Sequence, residues 1–126
     1  MASRLTDGLA ALRRDYAAKL DGTMAAIGRD WRAWREGDRD AGIRMRREIH
    51  RLYGSGATFG YRDITAVAGK LERLVDQALA GKELDVAAIG TGLERLSKVA
   101  LKIELSGGRK PRSRTTDRDA VSGSRE

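Results

Sequence analysis

Large apolar residues recur every three or four positions along almost the whole chain, and no segment alternates with a period of two. That spacing predicts helices and no sheet. The first stripe runs Leu5, Leu9, Leu12, Tyr16, Leu20, Met24, Ile27, Trp31 and Trp34. Unbroken, it would span about 45 Å, against nearer 30 Å for each later segment. Asp21-Gly22-Thr23 lies midway and offers both a stop and a new N-cap, which predicts a kink or two helices. Arg35-Glu36-Gly37-Asp38 ends the stretch.

A second helix is predicted from Arg39 to Ala57, with Met45, Ile49, Leu52, Gly56 and Phe59 inward, and a break at Thr58 to Tyr61 centred on Gly60. A third places Ile64, Val67, Leu71, Leu74 and Ala78 on one face and closes at Ala80-Gly81-Lys82. Asp85 can cap a fourth, with the stripe Val86, Ile89, Leu93, Leu96, Ala100 and Ile103. Short connections between long amphipathic helices make antiparallel neighbours, so the expected fold is all-α: an up-and-down four-helix bundle with an N-terminal helix extension or kink. After Leu105, Ser106-Gly107-Gly108 is a terminator, and the residues beyond it are polar, charged and nearly free of large apolar side chains. Such a segment cannot offset its ordering entropy by burial. Residues 1–105 are therefore read as the bundle and 106–126 as a disordered basic tail.

Composition narrows the chemistry. The 126 residues include 25 Lys plus Arg, 18 Asp plus Glu, one His, one Pro and no Cys. One domain of this length buries roughly two-thirds of its unfolded surface. The absence of Cys excludes a disulfide scaffold, a thiolate zinc site and a cysteine nucleophile, and a single His excludes multi-histidine metal sites. No apolar run approaches the roughly 18 residues needed to span a bilayer, and no signal peptide opens the chain, so a cytoplasmic protein is expected. Of the net charge of +7, the tail from Ser106 carries +3 and the remainder +4. A solvated helical surface accounts for most of that.

With Ile49 at the centre of the buried face of the second helix, His50 falls about 100° round, at the rim of that face. Gly54 comes one turn later on the same side and Ala57 a turn after that. Glycine within a helix costs about 1 kcal/mol relative to Ala, so Gly54 and Gly56 require a reason. Gly54 leaves the imidazole uncovered for the approach of a protein backbone or a phosphoryl group, whereas close helix packing suffices for Gly56. Arg46 and Arg47 lie one turn before His50 and Arg51 lies beside it. Guanidinium groups around a rim imidazole suit a group that holds phosphate; the plain alternative is a half-buried His with incidental arginines.

Read in order, Ile49-His50-Arg51-Leu52-Tyr53-Gly54-Ser55-Gly56-Ala57-Thr58-Phe59-Gly60, with Ile64, Val67, Leu71 and Glu72 after it, resembles the histidine-containing phosphotransfer (HPt) family, here as a stand-alone single domain. His50, Gly54, Phe59, Gly60 and Leu71-Glu72 carry the likeness. It is sharpest around the histidine, while the helical layout extends it from Leu5 to Leu105. The position three after the His, often Lys or Arg in the family, is Tyr53, and Arg51 supplies charge next to the His instead.

The resemblance implies a phosphoryl carrier of a bacterial-type two-component phosphorelay. His50 would accept the group on Nε2 from a receiver aspartyl phosphate or a kinase and pass it to a response-regulator receiver domain. Glu72, in the position where the family places Gln or Glu, would accept from Nδ1–H and orient the ring; the alternative is an exposed Glu paired with Arg73 or Lys70. Arg46, Arg47, Arg51, Tyr53, Gly54 and Ala57 would form the phosphoryl and partner-binding surface, and an exposed Trp31 or Trp34 would anchor a partner, although their shared stripe favours the core. No metal or cofactor of its own is implied, with Mg²⁺ expected on the receiver, nor turnover, membrane or nucleic-acid binding. A monomer is expected, although the first stripe also offers a dimer surface. Two other readings stay open: a helical adaptor that binds receivers without relaying phosphate, and a basic helical protein contacting nucleic acid through its tail. One His, no Cys and no recognisable pair of carboxylates leave little equipment for an ordinary enzyme, and no segment for ATP is present.

Overall fold

Four helices carry the chain, in the order α1 (Ala2–Arg35), α2 (Arg39–Phe59), α3 (Arg62–Leu79) and α4 (Val86–Leu105). The structure, a computed structural model, describes residues 2–109, with side-chain surroundings from Asp7 onward. Connections of three, two and six residues force successive helices to run antiparallel. Each helix packs on two neighbours, and α4 closes the ring onto α1. This is the expected four-helix bundle. Its core is Leu20, Ile27, Met45, Ile49, Ile64, Leu71, Val75, Ile89 and Leu96, all essentially without solvent contact.

Two details differ from the sequence pattern. α1 runs without interruption through Asp21-Gly22-Thr23, and Thr23 caps nothing. Leu20 and Ile27 are buried on either side of that segment. Burying two such side chains is worth about 1.5–3 kcal/mol each, more than the roughly 1 kcal/mol a helical glycine costs. The extension is present. At 34 residues α1 is about 51 Å long against about 32 Å for the 21-residue α2, and Leu9 and Leu12 stand 40% and 54% exposed beyond the bundle's end. On α3 the buried line is Ile64, Ala68, Leu71 and Val75, with the expected Val67, Leu74 and Ala78 half-buried beside it. Lying between α2 and α4, α3 needs a face wider than one stripe, and Ala68 lets a neighbour come close.

The helix ends obey their sequence signals. Asp38 and Asp85 cap α2 and α4, accepting from the backbone N–H groups of Ala41 at 3.2 Å and Ala88 at 3.0 Å. α2 continues to Phe59 and stops at Gly60, whose φ of +83° only glycine adopts freely. There Gly60 N–H donates to Ala57 and Tyr61 N–H to Gly56 at 2.7 Å, the double bond of a Schellman turn. α1, α3 and α4 end on the same pair of bonds.

Both tryptophans belong to the core. Trp31 and Trp34 are 7% and 9% exposed and meet edge to face at 5.9 Å. The Trp34 ring lies on Gly42, where an added Cβ would come within 2.6 Å of it. Neither tryptophan is an exposed partner anchor. At the other end Tyr16 stacks on Tyr61 and meets Phe59 at a tilt, and its hydroxyl shares a 2.8 Å hydrogen bond with Ser55. Ser106 to Arg109, read from sequence as the start of the tail, close α4, and the Tyr61 hydroxyl donates to the Gly108 carbonyl at 2.7 Å. A side chain at Gly108 would run into the Arg13 backbone. The rest of the expected tail, 110–126, lies outside the described residues.

Gly42→Ala should cost about 1–3 kcal/mol through overpacking against Trp34. Gly22→Ala, at an exposed helical position with open space around it, should gain about 0.5–1 kcal/mol. Urea titrations of both variants beside wild type give the two signs.

Burial pushes the Tyr16 and Tyr61 phenols above the ordinary value of 10.0, partly opposed by the Ser55 bond and the Arg13 charge respectively. The unfolded chain therefore loses these protons first, and stability held below pH 10 declines as pH rises beyond it. Replacing either tyrosine with Phe should flatten that alkaline decline, read as the urea midpoint against pH.

Candidate functional site

His50 sits near the middle of α2, beside the fully buried Ile49, with its own side chain 65% exposed. One hundred degrees of rotation separate neighbours on a helix, so a residue next to the core line emerges at its rim. The antiparallel return of α3 brings Glu72 to the same height. Its Oε2 lies 2.9 Å from His50 Nδ1, and its side chain is only 15% exposed. A carboxylate only accepts, so the proton of this bond belongs to Nδ1 and the imidazole donates. In the neutral ring Nε2 is then the unprotonated nitrogen, and the ring is largely open to solvent.

The register that pairs His50 with Glu72 repeats on either side. Four residues earlier on α2, Arg46 donates from Nε to Asp76, four residues later on α3. Three residues after His50, the Tyr53 ring lies over Gly69, three before Glu72. Thr65 Oγ1 also donates to the Tyr53 carbonyl at 3.0 Å. Closer to the turn the helices almost touch: a Cβ on Gly56 would stand 2.6 Å from Thr65 Oγ1 and 2.8 Å from Ile64 Cγ2. The bond to Asp76, then its charge, raise the Arg46 pKa further, with Glu72 adding a smaller share.

The basic residues around His50 are thus disposed unequally. Arg46 is turned to Asp76, and Arg51 donates to Glu48 at 2.7 Å, three residues back on its own helix. Arg47 is exposed, without an ion pair among the described residues. Tyr53 is 44% exposed, and its ring lies at 20° to the imidazole with centroids 6.4 Å apart. Gly54 and Ala57 are exposed, and nothing stands within 4 Å of where a Gly54 Cβ would be. The approach from the next turn is open.

Sequence reasoning misses Asp76, Gly69 and Thr65. The Glu48–Arg51 pair is legible from its spacing of three. The other contacts emerge only once 50 is set against 72, after which steps of four and three along each helix lead to them. Among the described residues no group of three or more His, Cys, Asp or Glu could hold a metal ion, and no helix is long and apolar enough to cross a membrane.

A family model, the Hpt domain, matches residues 11–99, which take in α1 from Ala11, all of α2 and α3, and most of α4. No curated protein and no solved structure matches the chain.

If Glu72 holds the tautomer, ¹⁵N-resolved NMR of the neutral ring should show the proton on Nδ1 in wild type. In Glu72→Ala it should shift substantially toward Nε2. An unchanged tautomer would mean the contact leaves the ring chemistry alone.

Proposed function

The chain belongs to the Hpt domain family, and from that premise we propose that His50 is its phosphoacceptor, charged by a receiver aspartyl phosphate or a kinase and discharged to a response-regulator receiver domain. Hpt domains are phosphocarrier modules of phosphorelays that work with receiver domains and kinases. The observation that supports the finer reading is the His50–Glu72 bond: Nδ1 is occupied by a shielded carboxylate while the ring stays 65% exposed.

The chemistry grows out of that arrangement. The Nε2 lone pair attacks phosphorus in line, forming an N–P bond as the P–O bond to the donor carboxylate breaks and the carboxylate leaves. Both ring nitrogens are then substituted, and the positive charge gained by the ring faces Glu72. Return transfer runs the same step backwards, so Glu72 serves both directions. This chain's share is to present the nitrogen in the correct tautomer at an open surface. We assign the acidic pocket and Mg²⁺ that neutralise the transferring group to the receiver, and no cofactor to this chain. To exposed Arg47 we assign the meeting of acidic groups on that partner's rim, which would speed encounter.

Incubation with a panel of phosphorylated receiver domains tests the reading. Wild type should take up label that is lost in acid and kept in alkali, His50→Gln should take up none, and Glu72→Ala should be charged about tenfold more slowly. Binding without label would favour the adaptor. Neither binding nor label would turn attention to nucleic acid, where a steep salt dependence of affinity is the diagnostic.

A further inference from the structure

We propose that the groove between α3 and α4 binds a small amphiphilic anion, an alkyl chain ending in one carboxylate. The inference stands apart from the role given to His50. On the α3 wheel Glu72 turns about 100° from Leu71 toward α2, and Lys70 turns about 100° the other way, toward α4.

The groove follows from the small residues that α4 turns to this face. Gly92 lies against Leu71, where an added Cβ would stand 2.9 Å from Leu71 Cδ1. Ala88, one turn earlier, and Thr91, beside Gly92, line the same wall. Across from them α3 supplies Val67, Leu71 and Leu74, and α4 leaves Val67 and Leu74 only half-buried. The groove between the two walls holds about 550 Å³. Pockets for small molecules run from about 300 to 1,000 Å³, with apolar walls and a few polar groups that fix the ligand's orientation.

The polar groups here are Lys70 on one wall and Arg95 on the other. With Gly92 set against Leu71, the antiparallel register puts Arg95 level with residue 68, about 3 Å along the axis from Lys70. Neither cation has an ion pair among the described residues. The third charged residue of the lining, Asp85, stands about 12 Å further along the axis than Lys70. Its Oδ1 there accepts from the Ala88 N–H at 3.0 Å. Two cations that meet at one level from two helices suit a single anionic head, and the fork of Arg95 matches a carboxylate. From that level the apolar walls run about 8 Å to Leu74 and Ala88, which suits a short alkyl chain. An acidic helix would want the cations spread along the groove, and a cationic ligand would meet two like charges.

The test is a titration of the full chain with octanoate, below the concentration at which it forms micelles, followed by ¹⁵N–¹H correlation NMR. The amides of Val67, Leu74, Ala88 and Gly92 should shift and saturate, with a Kd of about 1 mM or below. Octanol and octyltrimethylammonium should bind about tenfold more weakly or not at all, because neither satisfies the two cations. Lys70→Gln and Arg95→Gln should each weaken octanoate about tenfold, and Ala88→Leu, which fills the groove, should abolish its binding. His50→Gln should bind it as wild type does. The proposal is overturned if octanol matches octanoate, if the shifts fall outside the groove or never saturate, or if both Gln variants bind normally. An acidic amphipathic peptide that moves these amides while octanoate does not would also overturn it, in favour of a protein partner. Circular dichroism and urea titration check that Ala88→Leu folds; the exposed Lys70 and Arg95 variants carry the test if it does not.

Discussion

The close approach of α2 and α3 at Gly56 governs what the rest of the surface can do. With no side chain there, Ile64 and Thr65 move to within reach of the α2 backbone, and the turn at Gly60 closes in two residues. A tight turn fixes height and the bare contact fixes separation, so the positions of all later pairs are set. His50 meets Glu72, Arg46 meets Asp76 and Tyr53 meets Gly69 without any of these contacts having to pull the helices together. Exposed ion pairs are worth little to stability, which agrees with a register already determined by packing. They are free to serve orientation instead.

Orientation is what an exposed imidazole lacks on its own. A ring 65% open to solvent would sample several rotamers and both neutral tautomers. Glu72 limits this from a sheltered position, because its own side chain is only 15% exposed and competes less with water. The anchor is on one helix and the ring on its neighbour, so the bond also reports whether the hairpin is intact. Tyr53 also meets the opposite helix, its ring edge set in the space that Gly69 leaves.

Much of this is legible in the residues. Stripes spaced by three and four specify four helices, Asp85 marks one start, and the order His50, Gly54, Phe59, Gly60, Leu71-Glu72 points to one surface on one hairpin. Asp21-Gly22-Thr23 misleads because local signals for a break ignore burial: Leu20 and Ile27 are held by neighbouring helices, and that tertiary term exceeds the local cost. The line through Ala68 and Val75 on α3 escapes a search for large residues, because a helix between two neighbours buries small side chains as readily as large ones. Arg46 looks like a phosphate ligand when only its own helix is considered. Its partner lies thirty residues away, at Asp76, and no spacing rule within a single helix reaches it.

The pairing of the arginines bears on what a carrier needs. A phosphoryl group must be held long enough to travel and loosely enough to leave, and each free guanidinium beside it would strengthen the hold. Arg46 and Arg51 face carboxylates, whereas Arg47 stands exposed on α2, on the side away from α3. In the proposed carrier role, a receiver over His50 would meet Arg47 on the flank away from α3. In-line transfer tolerates little misalignment, so orienting the two proteins and orienting the imidazole are the same requirement at two scales.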